Sequence, residues 1–88
     1  MPKPVIKQRI IPPDDALIIK AIGELAKELR KKTGLSYEEF ATQNGINRIT
    51  YYKFESGNQN FTVSILIKIV RGLGMTLKQF FALLDQTE

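Results

Sequence analysis

Residues 36–57, SYEEFATQNGINRITYYKFESG, decide how the rest of the chain is read. They encode two short helices joined by a tight turn. Ser36, followed three residues later by Glu39, has the spacing of a capping box, in which each side chain satisfies the other's backbone N–H. Asn44-Gly45 ends the first helix, because glycine enters the left-handed conformation of a tight exit at little cost. Asn47 stands where the second helix needs an N-cap. The outer face of that second helix is expected to present Arg48, Thr50, Tyr52 and Lys53. Two helices crossing at this spacing can seat the second in the major groove of double-stranded DNA. Sequence-specific DNA binding is therefore the leading expectation.

Composition is compatible with this and excludes several alternatives. Eighty-eight residues make one domain with a modest core. The formal charge of +4 suits a polyanionic partner without demanding one. Cysteine and histidine are both absent, which removes disulfides, Cys/His zinc sites and catalysis centred on either residue. No cofactor or metal is implied. The N-terminus lacks the apolar run of a secretory signal. No stretch approaches the roughly 18 apolar residues of a membrane span. A soluble, cytoplasmic protein is expected, with no membrane partner.

Outward from the central pair, every further element reads as helix. Asp14-Asp15 is expected to cap a first helix running to about Lys32, with Arg30, Lys31 and Lys32 complementing the dipole at its end. Ile18, Ile22, Leu25 and Leu29 form its apolar stripe, widened by Leu17, Ile19 and Ala26. Phe40, Ala41, Ile46, Tyr51 and Phe54 supply the inward faces of the central pair. Ser56-Gly57-Asn58 is a stop signal. Thr62 caps a fourth helix with Val63, Leu66, Ile67, Val70 and Leu73 as its buried stripe, closed by Gly74. Thr76 caps a fifth helix to about Leu84, with Leu77, Phe80, Phe81 and Leu84 inward. Residues 1–13, MPKPVIKQRIIPP, form a separate arm in which four prolines forbid helix through most of the segment. Three readings of the arm stay open: a loose leader, a strand laid along the domain or a partner subunit, and a basic arm reaching DNA.

In this order and at these spacings, IGELAKELRKKTGLS, YEEFATQNGIN, RITYYKFESGN and SILIKIVRGLGMTLKQFF resemble the lambda-repressor-like, Cro/repressor-type (xenobiotic-response-element) helix-turn-helix domains, over about residues 20–84. The resemblance implies a compact, all-α, five-helix DNA-binding domain over 14–88, preceded by a short irregular arm over 1–13. Its helix-turn-helix spans about 36–56, and the recognition helix about 48–55. It implies structural roles for four positions: Ala41 where the two helices cross, Gly45 at the turn, and Arg30 paired with Glu55 between the first helix and the end of the third. Tyr51 falls at a buried recognition-helix position where relatives usually have an aliphatic residue. Tyr37 replaces the glutamine that in many relatives bridges a phosphate, and a tyrosine hydroxyl can also meet a phosphate. Asn58 and Asn60 resemble the phosphate-binding loop. Phe61 stands where proline is common.

Base contact is expected from Asn47, Arg48, Ile49, Thr50, Tyr52 and Lys53. Arg48 leads, because arginine can grip both acceptors of a guanine edge. Thr50 and Ile49 can touch a thymine methyl. Asn47 also caps its helix, and Lys53 also suits a plain phosphate contact. Surplus apolar residues (Leu17, Ile18, Ile19, Ile65, Phe80, Phe81) serve either the core or a homodimer interface. The expected function is a transcriptional regulator, a repressor or an antitoxin-like protein with a toxin or other protein partner. The rival is a protein-interaction module built on the same bundle. An enzyme ranks third, since Glu38-Glu39 are adjacent on a helix and point apart. Likewise Gly72-Leu73-Gly74 lacks the strand and lysine of a phosphate loop.

Overall fold

A computed structural model describes residues 13–86. They form five helices: α1 (Pro13–Thr33), α2 (Tyr37–Gln43), α3 (Arg48–Ser56), α4 (Val63–Gly72) and α5 (Leu77–Gln86). No strand occurs among the described residues. Of the arm, residues 1–13, only Pro13 is described, as the first residue of α1, and the arm readings lie outside the described residues.

Side chains start the helices as their spacing demands. Ser36 Oγ accepts from the Glu39 N–H at 3.1 Å, and Glu39 Oε1 accepts from the Ser36 N–H at 2.9 Å. Asn47 Oδ1 accepts from the N–H groups of Ile49 and Thr50 at 2.9 and 3.1 Å. Thr62 Oγ1 accepts from the Ile65 N–H. Thr76 and Gln79 make a second reciprocal box at the head of α5. These bonds satisfy donors that a helix cannot satisfy itself, each cap contributing about 1 kcal/mol. The start of α1 departs from expectation. The helix begins at Pro13, so Asp14 and Asp15 lie inside its first turn rather than before it. Proline suits that first turn because its φ is already helical and its missing N–H would have had no partner.

The core is Ile22, Leu25 and Ala26 of α1, Phe40 and Ala41 of α2, Ile46 of the turn, Tyr51 and Phe54 of α3, Leu66, Ile69 and Val70 of α4, and Phe80 of α5. Two stripes differ from the sequence reading. On α4 the buried ridge is Leu66, Ile69 and Val70, while Val63 is 67% exposed. Periodicity admits either a 63-based or a 66-based ridge, and packing into the common core chooses the second. On α1 the first turns carry Leu17 and Ile18 exposed at 66% and 51%, and burial begins at Ile22. Phe81 is also exposed, with its ring edge-on to Phe80.

Two contacts set how the helices cross. Ala41 is fully buried, and its carbonyl accepts from the Ile46 N–H at 2.9 Å, drawing the turn back onto α2. Gly45, in the left-handed region at φ 68°, makes that reversal possible. Gly23, inside α1, drew no notice in the sequence. A Cβ placed there would stand 2.4 Å from the Phe54 carbonyl oxygen, so only glycine lets α1 lie this close to α3. Similarly, Gly72 makes room for the Asn44 side chain, whose amide donates to the Phe40 carbonyl at 2.8 Å.

Gly23→Ala is expected to lower stability by about 1–3 kcal/mol through overpacking against α3, despite alanine's better helix propensity. Gly34→Ala, which meets no atom within 4 Å but has φ 83°, isolates backbone strain as a comparison in thermal melts. An unchanged melting temperature for Gly23→Ala would refute the close approach.

Candidate nucleic-acid interface

Three elements hold α3 with one face turned out. Its buried side is Tyr51, Phe54 and Glu55. Tyr51 packs on Phe40 of α2 with ring centroids 5.1 Å apart, and Phe54 meets Phe61 edge-on at 4.8 Å. Gly57 closes the helix in the left-handed region at φ 72°, and a Cβ there would strike the Lys20 backbone at 2.7 Å.

A buried ion pair fixes the register of α3 on α1. Arg30 Nε and Nη2 donate to Glu55 Oε2 and Oε1 at 2.7 and 3.1 Å. Nη1 of the same guanidinium donates to the Leu35 carbonyl at 2.7 Å, just before α2. Arg30 and Glu55 are only 7% and 8% exposed. One planar group therefore ties α1, the α1–α2 loop and α3 together. The hydrogen bond to Glu55 outweighs burial and raises the Arg30 pKa, so the charge persists. The pairing implied by the resemblance is present. Tyr51 is completely buried beside it, and its hydroxyl has no hydrogen bond of acceptable geometry among the described residues. Burial first, and the nearby Glu55 carboxylate second, push that hydroxyl well above the ordinary tyrosine range.

The outer face of α3 divides into three strips. Ile49, 66% exposed, faces solvent, and Lys53 is exposed beside it at the edge of a depression before α4. Arg48 and Tyr52 lean toward α2. Arg48 Nη1 lies 3.7 Å from Glu38 Oε2, with both side chains more than half exposed. A contact this open contributes at most about 1 kcal/mol, so Arg48 is free to leave it. The Tyr52 ring lies against the Tyr37 ring, 5.5 Å between centroids at 53°. Thr50 leans the other way, toward the loop before α4, where it lines a depression with Asn60 and Phe61. Asn47 is exposed, but its side-chain oxygen is engaged in capping. Asn58 and Asn60 are exposed in that loop. The six expected base-facing residues thus sit on one helix or at its cap without sharing one direction. Glu38, and the tyrosine contact across α2 and α3, were not legible as site features, because pairs between helices have no fixed sequence spacing. No group of acidic residues among those described could hold a metal ion. No described helix is long and apolar enough to cross a membrane.

A helix-turn-helix family model matches residues 27–80. The control protein C.MunI from a Mycoplasma species is 44% identical over 61 residues, spanning 68% of this chain and 82% of C.MunI. The solved structure of the wild-type restriction-modification controller protein C.Esp1396I superposes with a TM-score of 0.72 at 23% identity, over 78% of this chain and 90% of that one. The C.Esp1396I tetramer in complex with its natural 35 base-pair operator superposes equally well, covering 91% of the neighbour. At that identity the two structures bear on the fold, which they share.

Glu55→Ala is expected to cost about 3–5 kcal/mol, because it strands a buried guanidinium. Tyr51→Phe, which keeps the packed ring and removes a hydroxyl beside the pair, is expected to cost clearly less than Glu55→Ala. Denaturant melts of the two variants check the assignment, and equal losses would contradict it.

Proposed function

The chain belongs to the helix-turn-helix family, and from that membership we propose that it is a sequence-specific DNA-binding transcriptional regulator. One observation carries the reading: α3 presents Arg48, Ile49 and Lys53 outward while its opposite side is locked to α1 and α2. A rigid helix with a basic, solvent-facing side is what a major groove admits. The likeness to the control protein C.MunI favours a regulator of the controller kind, acting on restriction-modification genes. It also favours this over an antitoxin or a bundle that only bridges proteins.

The mechanism is occupancy. Arg48 leaves its loose contact with Glu38 and reads a guanine edge. Ile49 meets a thymine methyl, and Lys53 reaches a base or its flanking phosphate. Asn47, Thr50, Asn58 and Asn60 border the same surface, where backbone and side-chain donors meet phosphates. Tyr37 stands at the head of α2 for the same role. The protein works where the DNA is, in the cytoplasm of a bacterial cell. One such module buries little DNA-contacting surface, so a homodimer is the binding unit. Leu17, Ile18 and Phe81, exposed on the side formed by α1 and α5, supply apolar area for a second copy.

Selection from a random duplex pool is expected to enrich a palindrome with half-sites about 34 Å, one helical turn, apart. Binding should weaken steeply with salt. Arg48→Ala is expected to relax preference at one position per half-site and cost about 1–3 kcal/mol there. Retention of no sequence by the folded protein would sink the proposal. Unchanged preference in the variant would remove Arg48 from base reading.

A further inference from the structure

Leu17, Ile18 and Ala21 of α1 and Phe81, Leu84 and Asp85 of α5 line a cleft of about 420 Å³. Leu17 and Ile18 are 66% and 51% exposed, and Phe81 is exposed beside them. Large apolar side chains gathered in one exposed place mark a contact surface. Asp85 is the one charged residue of the lining. No convergent set of polar groups would orient a small ligand there. Every residue of the lining also lies outside 27–80, the span matched by the helix-turn-helix family model. The arm of residues 1–13 lies outside it too.

The sequence of the arm suits such a cleft. Residues 5–11 read VIKQRII. In an extended chain Ile6, Gln8 and Ile10 share one side, and Lys7 and Arg9 the other. One side is therefore apolar enough for the cleft, and the other carries charge for solvent. Lys3, Lys7 and Arg9 have no acid among them before Asp14, so the approach to Asp85 is attractive. Two features favour the cleft of a second copy over the arm's own. Ile11 and Pro12 each precede a proline, a position that favours extended backbone. The chain is thus led away from the head of α1, whereas its own cleft begins at Leu17, one turn past Pro13. VIKQRII also lacks glycine, asparagine, aspartate and serine, the residues that reverse a chain tightly. A return onto α1 within that stretch has no turn to make it. A stiff hinge joined to a segment that fits a cleft on an identical chain is the arrangement that segment exchange requires.

We propose that the arm of each copy lies along the α1–α5 cleft of a second copy, with Ile6 and Ile10 set against Leu17, Ile18 and Phe81. The inference rests on the homodimer reading above and deepens it, by naming what the second copy lays on that side. Two-fold symmetry makes the exchange reciprocal, so both clefts are covered.

Sedimentation of the full chain and site-directed linking test it. Ile6→Asp together with Ile10→Asp is expected to raise the dimer dissociation constant about tenfold or more. Leu17→Asp, at a site 66% exposed, is expected to do the same. The three changes combined are expected to add little to either effect, because they break one contact. The chain has no cysteine, so a short bis-maleimide linker reports only introduced thiols. With Ile6→Cys and Asp85→Cys in separate chains, linked dimers holding one of each are expected as the main product. With both changes in one chain, linked dimers are expected again, and internally bridged monomers overturn the exchange by returning each arm to its own cleft. A wild-type dissociation constant for the arm variant also overturns it while leaving the homodimer intact. If that variant then binds the selected palindrome more weakly, the arm belongs on DNA. If Leu17→Asp alone weakens the dimer, the cleft belongs to the body of the second copy. A wild-type chain that is monomeric at every concentration, free and on the palindrome, overturns the homodimer reading and the exchange together. Thermal melts confirm that each variant is folded before its dissociation constant is read.

Discussion

The guanidinium of Arg30 is the point on which the arrangement of this bundle turns. Its three nitrogens engage the Glu55 carboxylate and the Leu35 carbonyl, so one buried group sets α1, α3 and the entry to α2 in fixed relation. Burying such a pair is costly, and apolar residues of the same volume could stabilise the fold as well or better. What the pair adds is direction. Apolar packing tolerates small rotations of α3 about its axis, whereas a two-pronged pair at 2.7 and 3.1 Å does not. A rotation of one residue, about 100°, would carry Ile49 and Lys53 off the outward face. The outward presentation of these residues depends on the pair, although the pair itself is buried.

Small residues make that pairing reachable. Gly23 brings α1 against the Phe54 carbonyl, Ala41 lets α2 cross α3, and Gly72 admits the Asn44 side chain. Each gives up side-chain packing for proximity, and glycine inside a helix also costs about 1 kcal/mol in propensity. The gain is a rigid seat for a nine-residue helix too short to be stable alone.

The outer surface follows another logic. Arg48 and Glu38 touch loosely, and Tyr37 and Tyr52 lean together while much of Tyr52 stays in water. Weak, solvated contacts hold these side chains roughly in place and cost little to break. That suits residues which, on the proposed reading, exchange protein partners for DNA ones. A stiff frame bearing a loosely tethered surface is consistent with reading one sequence among many, since the frame supplies register and the side chains supply adjustment.

The amino-acid sequence by itself determined the number of helices, the caps of the last four, and most of the core. These are local matters: Ser36 with Glu39 and Thr76 with Gln79 bond across three residues, and periodicity shows which apolar residues can share a face. The all-α class and the helix-turn-helix family were legible for the same reason. Even Arg30 with Glu55, 25 residues apart, was foreseen only through resemblance, because nothing local links them. Tertiary structure alone decided the rest. It chose the Ile69 ridge over Val63, turned Ile18 to solvent, and revealed why position 23 must be glycine. It also split the outer residues of α3 into strips facing α2, solvent and the α4 loop. Those outcomes depend on where a second helix lies, and periodicity within one helix has no knowledge of its neighbour's distance or angle.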